Sequence, residues 1–236
     1  MAARIQNMTE GKPLKLILAF SLPLMIGNVF QQLYTVVDTM VVGQALGVGA
    51  LAALGAADWL NWMILGTIQG FTQGFSIKMS HEFGAGDYKR LRKTVANSLL
   101  LALVTSVVLL LFSQFFARPI LELLQTPDLI IEDSLSYLRI MFAGIPVVMA
   151  YNILASILRA LGDGKTPLYA MVVAAVINVI LDLIFVLGFH WGIMGAAGAT
   201  VIAQLCSGLF CLFAILRVEV LAFSKEDFRM DSSLCM

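Results

Sequence analysis

Apolar and polar positions along this chain fall into long blocks rather than the short periods of a water-soluble fold. Leu16–Val37, Thr94–Ala117 and Ile140–Leu158 contain no Asp, Glu, Lys or Arg, and neither does the whole stretch Leu183–Leu216. A helix needs about 20 apolar residues to cross the hydrocarbon core of a bilayer. Helices and closed barrels are the structures that satisfy their backbone polar groups there. Polar breaks divide the blocks. Arg118-Pro119 closes the third, Leu161–Pro167 is a tight polar turn, and His190-Trp191-Gly192 is a short bend. The pattern predicts six transmembrane helices over Leu14–Val42, Leu51–Ile77, Thr94–Ala117, Ser134–Leu158, Pro167–Leu187 and Met194–Leu216. The expected fold class is all-α, a polytopic six-helix bundle at 14–217. A cytoplasmic N-terminal segment, 1–13, precedes it, and a cytoplasmic tail, 218–236, follows.

Composition points the same way. Hydrophobic residues make up 60% of the chain and charged residues 13%, where a soluble domain carries about 25%, and mean hydropathy is +0.91. The net charge of zero selects no partner, but the placement of the charges sets an orientation. Arg4, Lys12, Lys15, Lys78, Lys89, Arg90, Arg92, Lys93, Arg159, Lys165, Arg217, Lys225 and Arg229 fall on one side of the six spans, and Arg118 and Arg139 on the other. Short basic loops stay cytoplasmic, so both termini are expected inside the cell membrane. The three cysteines, Cys206, Cys211 and Cys235, are too few and too badly spaced for a zinc site or a disulfide framework. No nucleophile–base motif, metal-ligand spacing or phosphate loop is present. An enzyme is therefore not expected, nor a nucleic-acid partner.

Three carboxylates fall inside or near the apolar spans: Asp38, Asp58 and Asp182. An ionised carboxylate at membrane depth costs at least about 2.5 kcal/mol, so such residues are partnered, protonated or functional. At 1.5 Å per residue, Asp38 lies about 6 Å below the outer end of the first span, Asp182 about 7–8 Å below that of the fifth, and Thr200 about 9 Å into the sixth. Asn178 and Asp182 share a helix face, as do Tyr34 and Asp38, with Gln31 a further turn back. Oxygen donors of this kind suit a hard cation or a proton; a structural hydrogen-bond cluster between helices is the alternative. Asp58, beside Trp59 and Trp62, reads as a solvated end residue in the aromatic belt. Pro23 removes a backbone donor within the first span and is expected to kink it. Tyr137, Asn152 and Met171 could line a cavity. Gly86-Asp87-Tyr88-Lys89 and Gly162-Asp163-Gly164-Lys165 form a faint internal repeat, read as two helix-capping turns.

Pro23, Tyr34 and Asp38, the run Leu158-Arg159-Ala160-Leu161-Gly162-Asp163-Gly164-Lys165-Thr166-Pro167, and Asn178-x-x-x-Asp182 together resemble the multidrug and toxic compound extrusion (MATE) transporters. Gly84-Ala85-Gly86-Asp87 and Gly195-Ala196-Ala197-Gly198-Ala199-Thr200 fit the same pattern. The resemblance implies an antiporter that exchanges H+ or Na+ for organic cations and drugs, with no cofactor beyond the coupling ion. It places the cation ligands at Asp38, Asn178, Asp182 and Thr200. It sets Gln31, Tyr34, Tyr137, Asn152 and Met171 toward the drug cavity, and a bending point at Pro23. Members of the family have two six-helix lobes, so the chain is expected to be the N-terminal lobe, completed by a second lobe or another copy. Two rival readings stand beside it. A related flippase of lipid-linked sugars would want a basic inner cavity for pyrophosphate, and no span carries a mid-membrane Lys or Arg. A non-transporting lobe that binds another membrane protein would associate stably without ion-linked transport.

Overall fold

The computed structural model describes residues 13–218. Most of the expected N-terminal segment and tail, with Arg4, Lys12, Lys225, Arg229 and Cys235, lies outside the described residues. The elements are α1 (Pro13–Gly84), α2 (Tyr88–Leu123), α3 (Asp128–Ala143), α4 (Ile145–Ala160), α5 (Lys165–Asp182), a one-turn π-helical run (Leu183–Gly188) continuing α5, and α6 (Gly192–Ile215).

Two expected spans lie inside α1, a run of 72 residues that would measure about 108 Å if straight. It is broken at Gly47, whose φ of 83° and ψ of −172° are non-helical; the left-handed φ is open to glycine without strain. Asp38 and Asp58, one on each limb, lie close enough to interact electrostatically. In a straight helix twenty residues would separate them by about 30 Å, so the limbs fold back on each other. The connection at 43–50 left between the first two expected spans is thus reduced to one residue, and the second limb starts at 48 rather than 51. The fourth span is a broken one: α3 and α4 meet at 47° around Gly144, with Pro146 in the first turn of α4, where its missing N–H costs nothing. A Cβ at Gly144 would lie 2.6 Å from Val201 Cγ2, so α6 closes on the bend where no side chain intervenes. Arg118-Pro119 does not end α2, which runs on to Leu123. Leu121, beyond the proline, is fully buried, and Arg118 pairs with Glu122 and Glu132, both at 3.0 Å, though exposed pairs of this kind add little. The two limbs of α1, α2, the bent α3–α4 pair, α5 with its π turn, and α6 make six membrane-length segments.

The packing is that of a multi-pass membrane protein. α2 buries Ala102, Ser106, Ser113 and Ala117 and exposes Leu103, Val107, Leu111 and Phe115, the reverse of a soluble amphipathic helix. Small residues on the inner face let backbones approach closely, since apolar bulk gains nothing over lipid. α6 follows the same rule with Ala196, Ala199, Ala203 and Ser207 inside, and Ser207 Oγ donates to the Ala170 carbonyl of α5 at 2.8 Å. α4 supplies the large core side chains, Met149, Ile153, Ile157 and Leu158 among them.

Both Gly-Asp turns lie at the end of the bundle opposite Gly47. Asp87 Oδ1 accepts from Arg90 N at 3.0 Å and caps α2. Asp163, 3% exposed, accepts from Lys165 N at 3.1 Å, Thr166 N at 3.0 Å and Thr166 Oγ1 at 2.6 Å. The repeat is therefore one turn chemistry used twice.

Candidate cation site

Asp38 sits on the first limb of α1, Asn178 and Asp182 on the last turns of α5, and Thr200 on α6. The elements bring all four together because α5 packs against both α1 and α6. Asp182 is fully buried, Asn178 1% exposed and Asp38 8% exposed, with Thr200 half-buried. The carboxyl groups of Asp38 and Asp182 lie side by side, close enough for each to act on the other. Asn178 Nδ2 donates to Thr200 Oγ1 at 3.3 Å, which turns the Asn178 carbonyl oxygen away from that contact. Among the described residues Asn178 Oδ1, Asp38 Oδ1 and both oxygens of Asp182 have no hydrogen-bond partner.

Four acceptor oxygens without donors, on side chains this buried, are costly unless a positive species lies among them. The atoms offered to such a species are all oxygens, which suits a proton or a hard cation. Among the described residues no three His, Cys, Asp or Glu side chains gather in metal-binding geometry. Asp182 is also the last residue before the π-helical run, a distortion that recurs at functional sites. That run is braced by Phe185, Phe189 and Trp191, whose ring centroids lie 4.9–6.2 Å apart.

The other singled-out residues separate into groups. Tyr34, half-buried, reaches the side chains of Gln31 and Gln204. Tyr137, 5% exposed, lies within electrostatic reach of Asp38, Asp58, Tyr34 and Asp182. Met171 packs on the first limb, its Sδ 3.2 Å from where a Cβ on Gly27 would stand, one turn beyond Pro23. Asn152 donates to the Val148 carbonyl of its own helix at 2.8 Å. The helix passes through Pro23 without a non-helical residue.

Two residues differ from the sequence expectation. Gln204 joins Tyr34, and its i, i+4 spacing from Thr200 was the available signal. Asp58 is a correction. Read as a solvated helix end, it is instead half-buried and acts on Asp38 and Tyr137. The expectation counted depth from Leu51; the limb begins at 48, which carries Asp58 a turn deeper.

The MatE family profile matches residues 23–184. The probable multidrug resistance protein YoeA of Bacillus subtilis (strain 168) is 35% identical over 223 residues, covering 91% of this chain and 48% of the relative. YpnP of the same organism, also named a probable multidrug resistance protein, is 32% identical over 218 residues, covering 92% and 49%. A solved outward-facing structure of a multidrug resistance MATE family transporter of the MOP superfamily superposes with a TM-score of 0.92 at 26% identity, over 100% of this chain and 52% of that one. The chain thus spans about half the length of the relatives it matches. With the profile covering more than half of its residues and the fold matching throughout, the chain belongs to the MatE family.

Proposed function

We propose that this chain is the N-terminal lobe of a two-lobe antiporter that exports organic cations and drugs across the cytoplasmic membrane, driven by inward movement of H+ or Na+, with both termini cytoplasmic. The observation that carries the reading is the buried oxygen cluster of Asp38, Asn178 and Asp182, which lacks donors among the described residues. The basic asymmetry of the loops supports the orientation, and the names of the relatives support the class of cargo.

The coupling follows from charge. Without a cation the facing carboxylates of Asp38 and Asp182 repel; a proton or Na+ between them reverses the sign and draws the first limb of α1 toward α5. The limb can respond near Pro23, where the carbonyl of Ala19 lacks its i+4 donor. Met171 packs one turn away, and Gln31 and Tyr34 follow on the same limb. Bending there alters the volume offered to a drug on that face. The cation shifts the two states only by its differential affinity for them.

The test is drug accumulation in everted membrane vesicles that carry this lobe within a full two-lobe protein, under an imposed pH or Na+ gradient. Asp38→Asn and Asp182→Asn are each expected to abolish gradient-driven transport at unchanged membrane levels. Transport that persists in both variants, or that ignores both gradients, overturns the reading.

A further inference from the structure

The site described above leaves one carboxylate unexplained. Asp38 lies nine residues before the Gly47 break and Asp58 eleven residues after it, about 13 and 17 Å along limbs that fold back on each other. The two are therefore nearly level. The register is pinned independently: Ser134 Oγ lies 3.0 Å from the Ala53 carbonyl, tying α3 to the second limb. Tyr137 comes three residues further along α3 and Asp58 five residues further along the limb, about 4.5 and 7.5 Å from that contact. Leu54, four residues back on the same face, and Ala57 are buried while Trp59 is exposed, so Asp58 sits at the edge of the buried side of the limb. Asp58 acts electrostatically on both Asp38 and Tyr137. It does not complete a cage, because no three acidic side chains gather in metal-binding geometry among the described residues.

We propose that Asp58 is a third, outlying carboxylate of the cation site, which meets an incoming H+ or Na+ and raises the affinity of the Asp38–Asp182 pair for it. The second observation is the pair itself: Asp182 is fully buried with neither oxygen hydrogen-bonded among the described residues, and Asn178 Oδ1 is equally bare, so the cluster is built toward a positive ligand. The titratable groups within electrostatic reach of Asp58 are Asp38 from the first limb and Tyr137 from α3, with Asp182 of α5 beyond Asp38. None is basic, so a negative charge at Asp58 adds directly to the field at the pair. Asp58 keeps partial contact with the surroundings that the pair has lost, which makes it the member a cation meets first.

The inference rests on the proposed cation site, and the test separates the two. The purified chain in lipid nanodiscs is titrated with acid, and separately with NaCl at constant ionic strength, while infrared difference spectra follow the carboxyl and carboxylate bands. Asp182→Asn should remove the cation-dependent signal of the buried pair. Asp58→Asn should keep that signal and weaken binding about tenfold, the effect of one unit charge roughly 10 Å away at intermediate dielectric. Asp58→Glu should restore affinity to within about threefold of the unsubstituted chain, which a merely structural role for the side chain would not do. An unshifted midpoint in Asp58→Asn, with the signal still lost in Asp182→Asn, overturns the role of Asp58 and leaves the site standing. A signal unchanged in Asp182→Asn overturns the site and the role together.

Discussion

At the scale of single residues, the chain keeps two kinds of aspartate, and they answer to different physics. Asp163 is buried but fully used, accepting from two backbone N–H groups and a hydroxyl. Asp87 is more exposed and accepts from one backbone N–H, with Arg90 3.9 Å away. Asp163→Ala is therefore expected to cost about 1–3 kcal/mol, because buried donors lose their acceptor, and Asp87→Ala about 1 kcal/mol or less. Thermal unfolding of the two variants side by side checks the order; equal losses would contradict it. Asp182 is the opposite case, buried with neither oxygen hydrogen-bonded among the described residues. Asp182→Leu is expected to raise the unfolding temperature, since an apolar group of similar size carries no desolvation cost there. The same variant should lose any stabilisation by NaCl or acid, which in the unsubstituted chain grows with ligand concentration as RT ln(1 + [L]/Kd). A fall in stability would show that the carboxylate is held by contacts rather than kept for a ligand.

At the scale of elements, breaks in the helices position the site. The Gly47 break folds α1 back so that Asp38 and Asp58 lie level. The Gly144 bend admits α6, which carries Thr200. Gly144→Leu is expected to destabilise the fold by about 1–3 kcal/mol through overpacking against Val201, and Val201→Ala in the same chain should recover part of that loss because the two positions touch. Additive losses in the double variant would remove the close-approach argument. Pro23 acts differently. Proline inside a helix costs about 3 kcal/mol relative to alanine, yet the limb remains helical around it. Pro23→Ala should raise thermal stability by restoring the donor for the Ala19 carbonyl, and should slow gradient-driven transport if the limb must bend there. Faster or unchanged transport would count against the hinge.

At the scale of the whole molecule, the sides of the helices carry many large apolar side chains on the outside. Leu18, Leu22, Met25, Val29 and Leu33 stand 55–62% exposed along the first limb apart from the buried core, in addition to the large lipid-facing side chains of α2. A bilayer covers such faces, and the relatives carry about as much chain again. In detergent, the purified chain is expected to dimerise, to pair with a second lobe, or to aggregate, as read by light scattering coupled to size exclusion. A monodisperse monomer that moves drug in liposomes would overturn the two-lobe reading. For orientation, a cysteine at Gln125 should react with an impermeant thiol reagent outside the cell, and one at Gly86 should not; the reverse pattern would invert the proposed topology.

Sequence alone determined the class of the fold, because uncharged runs longer than a bilayer is thick leave the backbone few ways to satisfy itself. Helical spacing also put Asn178 with Asp182 and Tyr34 with Asp38, since i, i+4 neighbours share a face wherever the helix goes. Both capping turns were readable for the same reason: their hydrogen bonds close within three residues. What local pattern could not reach were positions set by breaks. A single left-handed glycine replaced the expected connection at 43–50, and Pro119 did not stop α2, whose next turn buries Leu121 in the core. The missing hydrogen-bond partners of Asp182, the approach of Gln204 to Tyr34, and the depth of Asp58 depend on which limb lies beside which. That choice is made by small-residue packing between helices far apart in the chain, and only the tertiary structure decided it.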